Sequence, residues 1–172
     1  MDKEFFEKSE LDCYAKLVQF NDKVLKLNDL GQTPTKYHTD ASGITATSRY
    51  FNLELKNRNQ TIKQDESGEY YIEGTTSTGK QYTANTIYIE QHKVCSMLLD
   101  YITYNQEPIY INFLNNGIVV FNLARLKTRP ETEHKKIHSK GYGKMEIGDR
   151  EGLSLKDSTI YDNNYNLIKR PE

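Results

Sequence analysis

The clearest alternation of apolar and polar residues lies in residues 49–56, RYFNLELK. Every second residue from Phe51 to Leu55 is apolar, and the residues between them are polar. Because successive side chains of a strand point to opposite faces, this pattern predicts a strand with one apolar and one polar face. Glu54 and Lys56 then share the polar face, and the apolar face anchors the strand in the core.

Two segments carry apolar residues at steps of three and four. Residues 3–28 show this spacing, which predicts a first helix that is ended by Gly31 and Pro34. Residues 91–104, QHKVCSMLLDYITY, show it as well and predict a second helix, with Pro108 marking its exit. Both segments are amphipathic, so each is expected to pack one face against a sheet.

Shorter signals predict the remaining strands and turns. They comprise an edge strand at 35–40, a turn at 41–43, a loop at 57–68, strands at 70–73 and 82–90 around a turn at 74–80, a hairpin of 109–114 and 118–123 with an Asn-Gly turn, and weak strands at 145–147 and 160–161. The order of helices and strands predicts one α/β (α+β) domain in which helices flank a central mixed sheet.

Composition narrows the class of protein. The chain has 172 residues, a length typical of one domain, and it is 36% hydrophobic with 13 tyrosines. It has no signal-peptide pattern and no run of about 18 apolar residues, so we expect a cytoplasmic protein without a membrane span. Its two cysteines, without metal-ligand spacing, indicate reduced thiols rather than a disulfide framework or a zinc site.

Positive charge is concentrated in one stretch although the net charge is only −1. The basic residues of positions 125–144 are Arg125, Lys127, Arg129, Lys135, Lys136, Lys140 and Lys144. A local basic surface of this kind is typical of contact with nucleic-acid phosphates, although a solvated loop explains the same composition.

One constellation suggests chemistry. Asp40 precedes the triplet Glu54-Leu55-Lys56, with thirteen residues between them. If Asp40 ends a neighbouring strand, its carboxylate can join that of Glu54, and Lys56 lies about 7 Å along the strand. Carboxylate oxygens suit Mg²⁺, which polarises a phosphate, and a nearby lysine can orient the attacking water. The competing interpretation is a strand face with an ordinary ion pair.

The triplet and its flanks resemble the PD-(D/E)xK nuclease superfamily, which includes restriction endonucleases. The shared features are a first helix, the ExK strand, and a later segment that runs from helix into strand, over residues 5–123. Thr39 stands where the family motif often has proline. The resemblance implies a restriction endonuclease-like core at 5–123, followed by a basic, polar extension at 124–172.

The resemblance also implies roles for individual residues. Asp40 and Glu54 would bind Mg²⁺ or Mn²⁺, and Lys56 would act with the nucleophilic water. The later helix would supply Gln91 or Lys93, and the first helix would supply an acid. The candidates for that acid are Glu10 and Glu7.

The predicted function is therefore a metal-dependent nuclease that hydrolyses phosphodiester bonds in DNA. Small nucleases of this kind often pair to cut two strands, which makes a homodimer compatible with the prediction. The alternative is a non-catalytic module of the same fold that binds nucleic acid or a protein partner. A structural or assembly protein is a third hypothesis.

Three other motifs give weaker signals. The segment from Gly74 to Lys80 fits part of a phosphate-binding loop, but Gln81 replaces the required Ser or Thr and no helix is predicted behind it. A second acid-x-Lys triplet, at 133–135, lacks alternation and is interpreted as fortuitous. His134 and His138 are four apart and could share a helix face, where phosphate contact is favoured over a zinc pair.

Overall fold

The computed structural model describes residues 3–33, 40–139 and 144–172. Within them the chain forms two α-helices, α1 (Lys3–Phe20) and α2 (Gln91–Tyr104). The strands are β1 (Asn28–Gln32), β2 (Ala41–Ile44), β3 (Tyr50–Asn57), β4 (Gln60–Gln64), β5 (Tyr70–Thr75), β6 (Gln81–Ala84), β7 (Thr86–Glu90), β8 (Gln106–Leu114), β9 (Gly117–Asn122), β10 (Glu131–Ser139), β11 (Lys144–Ser154), β12 (Thr159–Asp162) and β13 (Leu167–Lys169).

The central sheet has seven strands in the order β1-β2-β3-β8-β9-β12-β13. All neighbours are antiparallel except β3 and β8, which are parallel. A parallel pair requires a crossover connection, and the chain between β3 and β8 contains α2. The strands after residue 124 complete the sheets, since β12 pairs with β9 and β11 pairs with β7.

Two smaller antiparallel sheets accompany the central one. Their orders are β10-β11-β7 and β4-β5-β6. Because β7 runs directly into α2, the first of these sheets fixes the start of that helix. The structure is thus a single α+β domain with a mixed sheet and two helices, which confirms the predicted fold class at this level.

The central sheet separates two apolar cores. On one face, Leu53 and Leu55 of β3 pack in a cluster with Leu17 and Phe20 of α1. On the other face, Tyr110 of β8 belongs to a cluster whose other members include Val94 and Met97 of α2, Phe121 of β9 and Leu153 of β11. Burial of each such large side chain contributes about 1.5–3 kcal/mol, so both faces of β8 and the α1-side face of β3 are firmly held.

Several predicted elements are confirmed. The second helix spans residues 91–104 as predicted, the strand around Glu54 is β3, and the Asn-Gly hairpin is formed by β8 and β9. No helix in the described part of the chain is both long and apolar enough to cross a membrane.

The predicted end of the first helix is wrong. The α-helix ends at Phe20, and a π-helical turn, Asn21–Leu25, leads to Lys26, which has a left-handed backbone with φ of 56°. The buried Asn21 side chain accepts a hydrogen bond from Leu27 N (2.8 Å) and donates to Leu27 O (3.0 Å). This side chain satisfies the backbone beyond the turn, and the chain continues into β1 instead of extending the helix.

Two predicted irregular segments are strands. The predicted turn at 41–43 lies in β2, where Ala41 and Gly43 are buried against neighbouring strands. A Cβ atom at Gly43 would lie 3.0 Å from Leu27 Cβ, so the small residues reflect close packing rather than a turn. The predicted loop at 57–68 contains β4, whose Ile62 is buried in the α2-side core.

Two other predictions fall near the limits of the described chain. The predicted edge strand at 35–40 lies outside the described residues except for Asp40. The basic stretch is largely the hairpin of β10 and β11, so the helix that was considered for His134 and His138 is wrong. His134 instead pairs through Nδ1 with Asp149 on the neighbouring strand.

Candidate functional site

Glu54 lies in the middle of β3, on the face that carries α2. Its side chain is only 3% exposed, because it packs beneath the start of that helix. Lys93, in the first turn of α2, donates through Nζ to Glu54 Oε1. The alternation of β3 therefore places an acid inside the protein, and the direct run from β7 into α2 brings a cation to it.

Asp40 lies next to Glu54. It directly precedes β2, and the pairing of Ala41 with Leu53 continues to Asp40 opposite Glu54. The carboxylate accepts a hydrogen bond through Oδ2 from Leu55 N at 2.7 Å, which holds it against β3. The geometry thus brings together the two acids that the sequence predicted as metal ligands.

Lys56 contacts an acid that the sequence analysis did not single out. Its Nζ lies 3.8 Å from Oε1 of Glu90, the last residue of β7, and its side chain is 46% exposed. Glu90 directly precedes the predicted helix that was expected to supply Gln91 or Lys93. That position, where a buried strand turns into the helix, was the signal that could have identified it.

Electrostatics distinguish Glu54 from its neighbours. Loss of hydration on burial, together with the charges of Asp40 and Glu90, raises the pKa of Glu54 to about 7. The ion pair with Lys93 opposes this shift, but burial outweighs it because a carboxylate out of water is costly. At neutral pH the folded protein therefore holds Glu54 only partly ionised.

The pKa values of Glu90 and Lys93 also shift, each in the direction that its charged partners favour. Burial raises the pKa of Glu90, but the Lys56 and Lys93 ammonium groups outweigh it and leave the net pKa below its ordinary value. Burial lowers the pKa of Lys93, but Glu54, Glu90 and Asp40 outweigh it and raise the net pKa. Burial therefore makes Glu54 harder to ionise than Glu90, although both acids lie near the same lysine, Lys93.

The acid pair can accept a further cation. Among described residues, no hydrogen bond engages Asp40 Oδ1 or Glu54 Oε2, since the known partners use the other oxygen of each carboxylate. The described residues contain no group of three or more His, Cys, Asp or Glu side chains that could hold a metal ion. Mg²⁺ does not need such a cage, because it commonly binds one or two carboxylates, waters and a substrate phosphate. The donor set therefore fits Mg²⁺ or Mn²⁺.

Two predicted assisting residues are not brought to this site. Gln91 donates through Nε2 to Glu151 Oε1 at 2.8 Å, on strand β11. Glu10 is exposed on α1 and has no contact with Glu54 among the described interactions, while the side chain of Glu7 lies outside the described residues. Asp12 of α1 does reach β3, where it accepts a hydrogen bond from Asn57 Nδ2 at 2.9 Å.

The predicted basic surface is only partly described, and its described members make other contacts or none. Arg125 pairs with Glu107, and Lys127 donates through Nζ to the backbone carbonyl of Glu172. Arg129 is exposed, without a contact among the described residues. The remaining basic side chains of the stretch, which lie outside the described residues, are Lys135, Lys136, Lys140 and Lys144.

Arg58 is a further basic residue that sequence reasoning missed. It follows β3 and donates through Nε to Asn112 Oδ1 (2.6 Å) and through Nη2 to Tyr110 Oη (2.6 Å) and to the Tyr88 carbonyl. Tyr110 pairs with Glu54 in the β3–β8 ladder. The signal in the sequence was its position, since Arg58 extends the polar face of β3 beyond Lys56 by one more step of two.

The glycine-rich segment has no helix behind it. Residues from Gly74 to Lys80 form the end of β5 and the turn into β6, which agrees with the sequence interpretation of a hairpin. The second acid-x-Lys triplet lies on β10, where Glu133 pairs with Arg150 of β11. Neither motif contacts the cluster of Asp40, Glu54, Lys56, Glu90 and Lys93 in the described part of the chain.

The chain matches no protein-family model, no curated protein and no solved structure.

Proposed function

We propose that this protein is a metal-dependent nuclease that hydrolyses phosphodiester bonds in DNA, with Mg²⁺ or Mn²⁺ held by Asp40 and Glu54. The observation that carries the proposal is the position of Glu54, a carboxylate that is 3% exposed beside a second carboxylate. Burying one acid beside a second, partly exposed acid costs free energy unless a cation joins them. Lys93 supplies one positive charge but binds only one oxygen of Glu54.

The side chains around the acid pair have complementary roles in this proposal. When bound, the metal ion would polarise the phosphate and lower the pKa of a coordinated water. Lys93 holds Glu54 in place through Oε1, and the backbone N–H of Leu55 holds Asp40. Lys56 is half-exposed, so its ammonium can meet a substrate and orient the attacking water.

The arrangement of the chain also supports the proposal. The resemblance to PD-(D/E)xK nucleases requires a first helix, an ExK strand, and a helix that leads into another strand. The chain has α1, β3 with Glu54 and Lys56, α2 with Lys93, and β8 parallel to β3. Asp40 precedes the strand that is adjacent to β3, where its carboxylate can act with Glu54.

The test is cleavage of plasmid, single-stranded and branched DNA with Mg²⁺ or Mn²⁺. We expect Glu54→Gln, Asp40→Asn and Lys56→Met each to lower the cleavage rate by at least about 100-fold, since each removes charge from the reacting centre. Glu73→Gln is the matched control, because Glu73 is a partly exposed strand acid, with a 37% exposed side chain, that pairs with Lys63. This control should keep the wild-type rate.

Two outcomes would reject the nuclease. One is a wild-type protein that cleaves none of these substrates with either metal. The other is a set of variants at Glu54 and Lys56 that cleave as fast as wild type while the protein remains folded by circular dichroism. Binding of DNA without cleavage would favour the non-catalytic module, in which the ion pair of Glu54 with Lys93 has only a structural role.

A further inference from the structure

Arg58 belongs to a network that adjoins the acid cluster. Its guanidinium reaches Tyr110 Oη, and Tyr110 also donates to the Tyr88 carbonyl at 3.1 Å. Tyr88, whose carbonyl also accepts from Arg58, lies two residues before Glu90 on β7. The network is therefore close along β7 to Glu90, the acid that pairs with Lys56. Tyr110 is also the partner of Glu54 in the β3–β8 ladder, so the network around the guanidinium adjoins the proposed metal site.

One edge of the guanidinium is fixed and the other is free. Nε donates to Asn112, which is fully buried, and Nη2 donates to Tyr110 and Tyr88. Nη1 has no hydrogen-bond partner among the described residues, and it is not one of the enclosed unpartnered polar atoms. Arg58 is itself partly exposed. A rigid, partly exposed fork with two unused N–H donors is suited to a phosphate oxygen.

We propose that Arg58 is a phosphate-binding residue that holds the backbone of the nucleic-acid strand beside the acid pair through Nη1. The role assigned to Arg58 rests on the proposed nuclease function, and it names a contact that positions the substrate. The site holds three acids against two lysines, and Lys93 is engaged by Glu54, so a further fixed cation helps to seat the polyanionic strand. The buried network spares Arg58 the loss of side-chain entropy that a free arginine would have on binding.

The test measures binding separately from cleavage. Ca²⁺ replaces Mg²⁺ at a fixed low concentration, and fluorescence anisotropy follows a labelled single-stranded DNA as KCl is raised. Loss of one phosphate contact should reduce the slope of log K against log salt by about 0.7. We expect this reduction for Arg58→Gln, together with binding at low salt that is weaker by about tenfold or more.

Three further variants separate binding from folding. Arg58→Lys keeps the positive charge and should keep most of the wild-type slope. Tyr110→Phe removes one partner of the network but leaves the charge of Arg58, so its slope should equal that of wild type. Lys80→Gln removes the same charge from the exposed turn between β5 and β6 and should also keep the wild-type slope.

The outcomes distinguish the two proposals. A wild-type slope for Arg58→Gln, or an equal fall for Tyr110→Phe, would overturn the phosphate-binding role even if the protein cleaves DNA. A reduced slope for Arg58→Gln alone would support that role, whether or not the protein cleaves DNA. If it binds DNA in this way but does not cleave it with Mg²⁺, only the nuclease proposal is rejected. A wild-type protein that binds no DNA would overturn the role of Arg58.

Discussion

Two buried glutamates on adjacent strands have opposite electrostatics. Glu54 on β3 and Glu107 on β8 each have a side chain that is 3% exposed. Glu107 accepts hydrogen bonds from Arg49, from Arg125 Nη2 at 3.0 Å and from Asn122 Nδ2 at 2.8 Å. Burial raises the pKa of Glu107, but these groups outweigh it and leave the net pKa below its ordinary value.

The difference lies in what covers each carboxylate. The two arginines that cover Glu107 remain 49% and 62% exposed, so the acid is enclosed by solvated positive charge. Glu54 has only Lys93 as a positive partner, so burial and the two neighbouring acids raise its pKa to about 7. Glu107 is therefore a structural acid whose charge is balanced by its partners, whereas the charge around Glu54 is not balanced by Lys93 alone. Similar burial alone does not identify a functional residue.

The largest expected effect on stability is the pH dependence caused by Glu54. In EDTA, both the folded and the unfolded protein carry a protonated Glu54 below its ordinary pKa. As the pH rises, the unfolded state ionises Glu54 at its ordinary pKa, whereas the folded state does so only at about pH 7. The free energy of unfolding therefore falls between these two pH values and is constant again towards pH 8. Relative to Glu54→Gln, the wild type should lose on the order of 3 kcal/mol between pH 4.5 and 8. Urea unfolding at several pH values measures this, and parallel curves would refute it.

For Glu107 the effect of pH on stability should have the opposite sign, and the change in stability caused by Glu107→Gln should be smaller. The variant loses two charge-assisted hydrogen bonds, so it should be less stable than wild type at pH 7 by about 2 kcal/mol, a fall in Tm of about 4–8 °C. Because the pKa of Glu107 is lowered on folding, this difference should shrink as the pH falls below 4.5. Thermal unfolding checks both points, with Glu73→Gln as a surface control whose Tm should not change. A variant as stable as wild type would mean that the arginines do not stabilise Glu107.

Asp40→Asn should have the smallest effect on stability. An asparagine side chain can still accept the hydrogen bond from Leu55 N, so the fold keeps its local contact. Removing the charge also relieves Glu54, so the variant should unfold within about 1 kcal/mol of wild type in EDTA. Urea unfolding measures the difference. A loss of several kcal/mol would show that the charge of Asp40 stabilises the fold. Asp40 would then not be a carboxylate available to bind a metal ion.

Sequence reasoning found the parts of this fold whose local pattern agrees with their final environment. The strand around Glu54, the helix at 91–104 and the Asn-Gly hairpin each carry a periodicity that matches the structure. The end of α1 was missed because a single buried side chain, Asn21, satisfies the backbone around Leu27. Such a contact is formed by tertiary packing and leaves no periodic signal in the sequence.

The candidate site was predictable only in part for the same reason. Alternation places Glu54 and Lys56 on one face, and spacing suggested Asp40, but their partners come from distant segments. The strand β7 that carries Glu90 is held near Lys56 because its Tyr88 carbonyl accepts hydrogen bonds from Arg58 and Tyr110. Arg58 reaches Tyr110 because β8 lies parallel to β3. These pairings are long-range contacts, so local sequence could mark Glu90 and Arg58 by their positions but could not assign their partners. Gln91, which was predicted to assist, contacts Glu151 instead.

The most direct test of the central claim is metal-induced stabilisation at pH 8. Adding Mn²⁺ at about 100 times its Kd should stabilise the wild type by about 2.7 kcal/mol, because the ion binds only the folded acid pair. Glu54→Gln and Asp40→Asn should lose this gain, whereas Glu107→Gln should keep it at its lower Tm. A wild type whose Tm does not rise with Mn²⁺, or an equal rise in Asp40→Asn, would contradict the account.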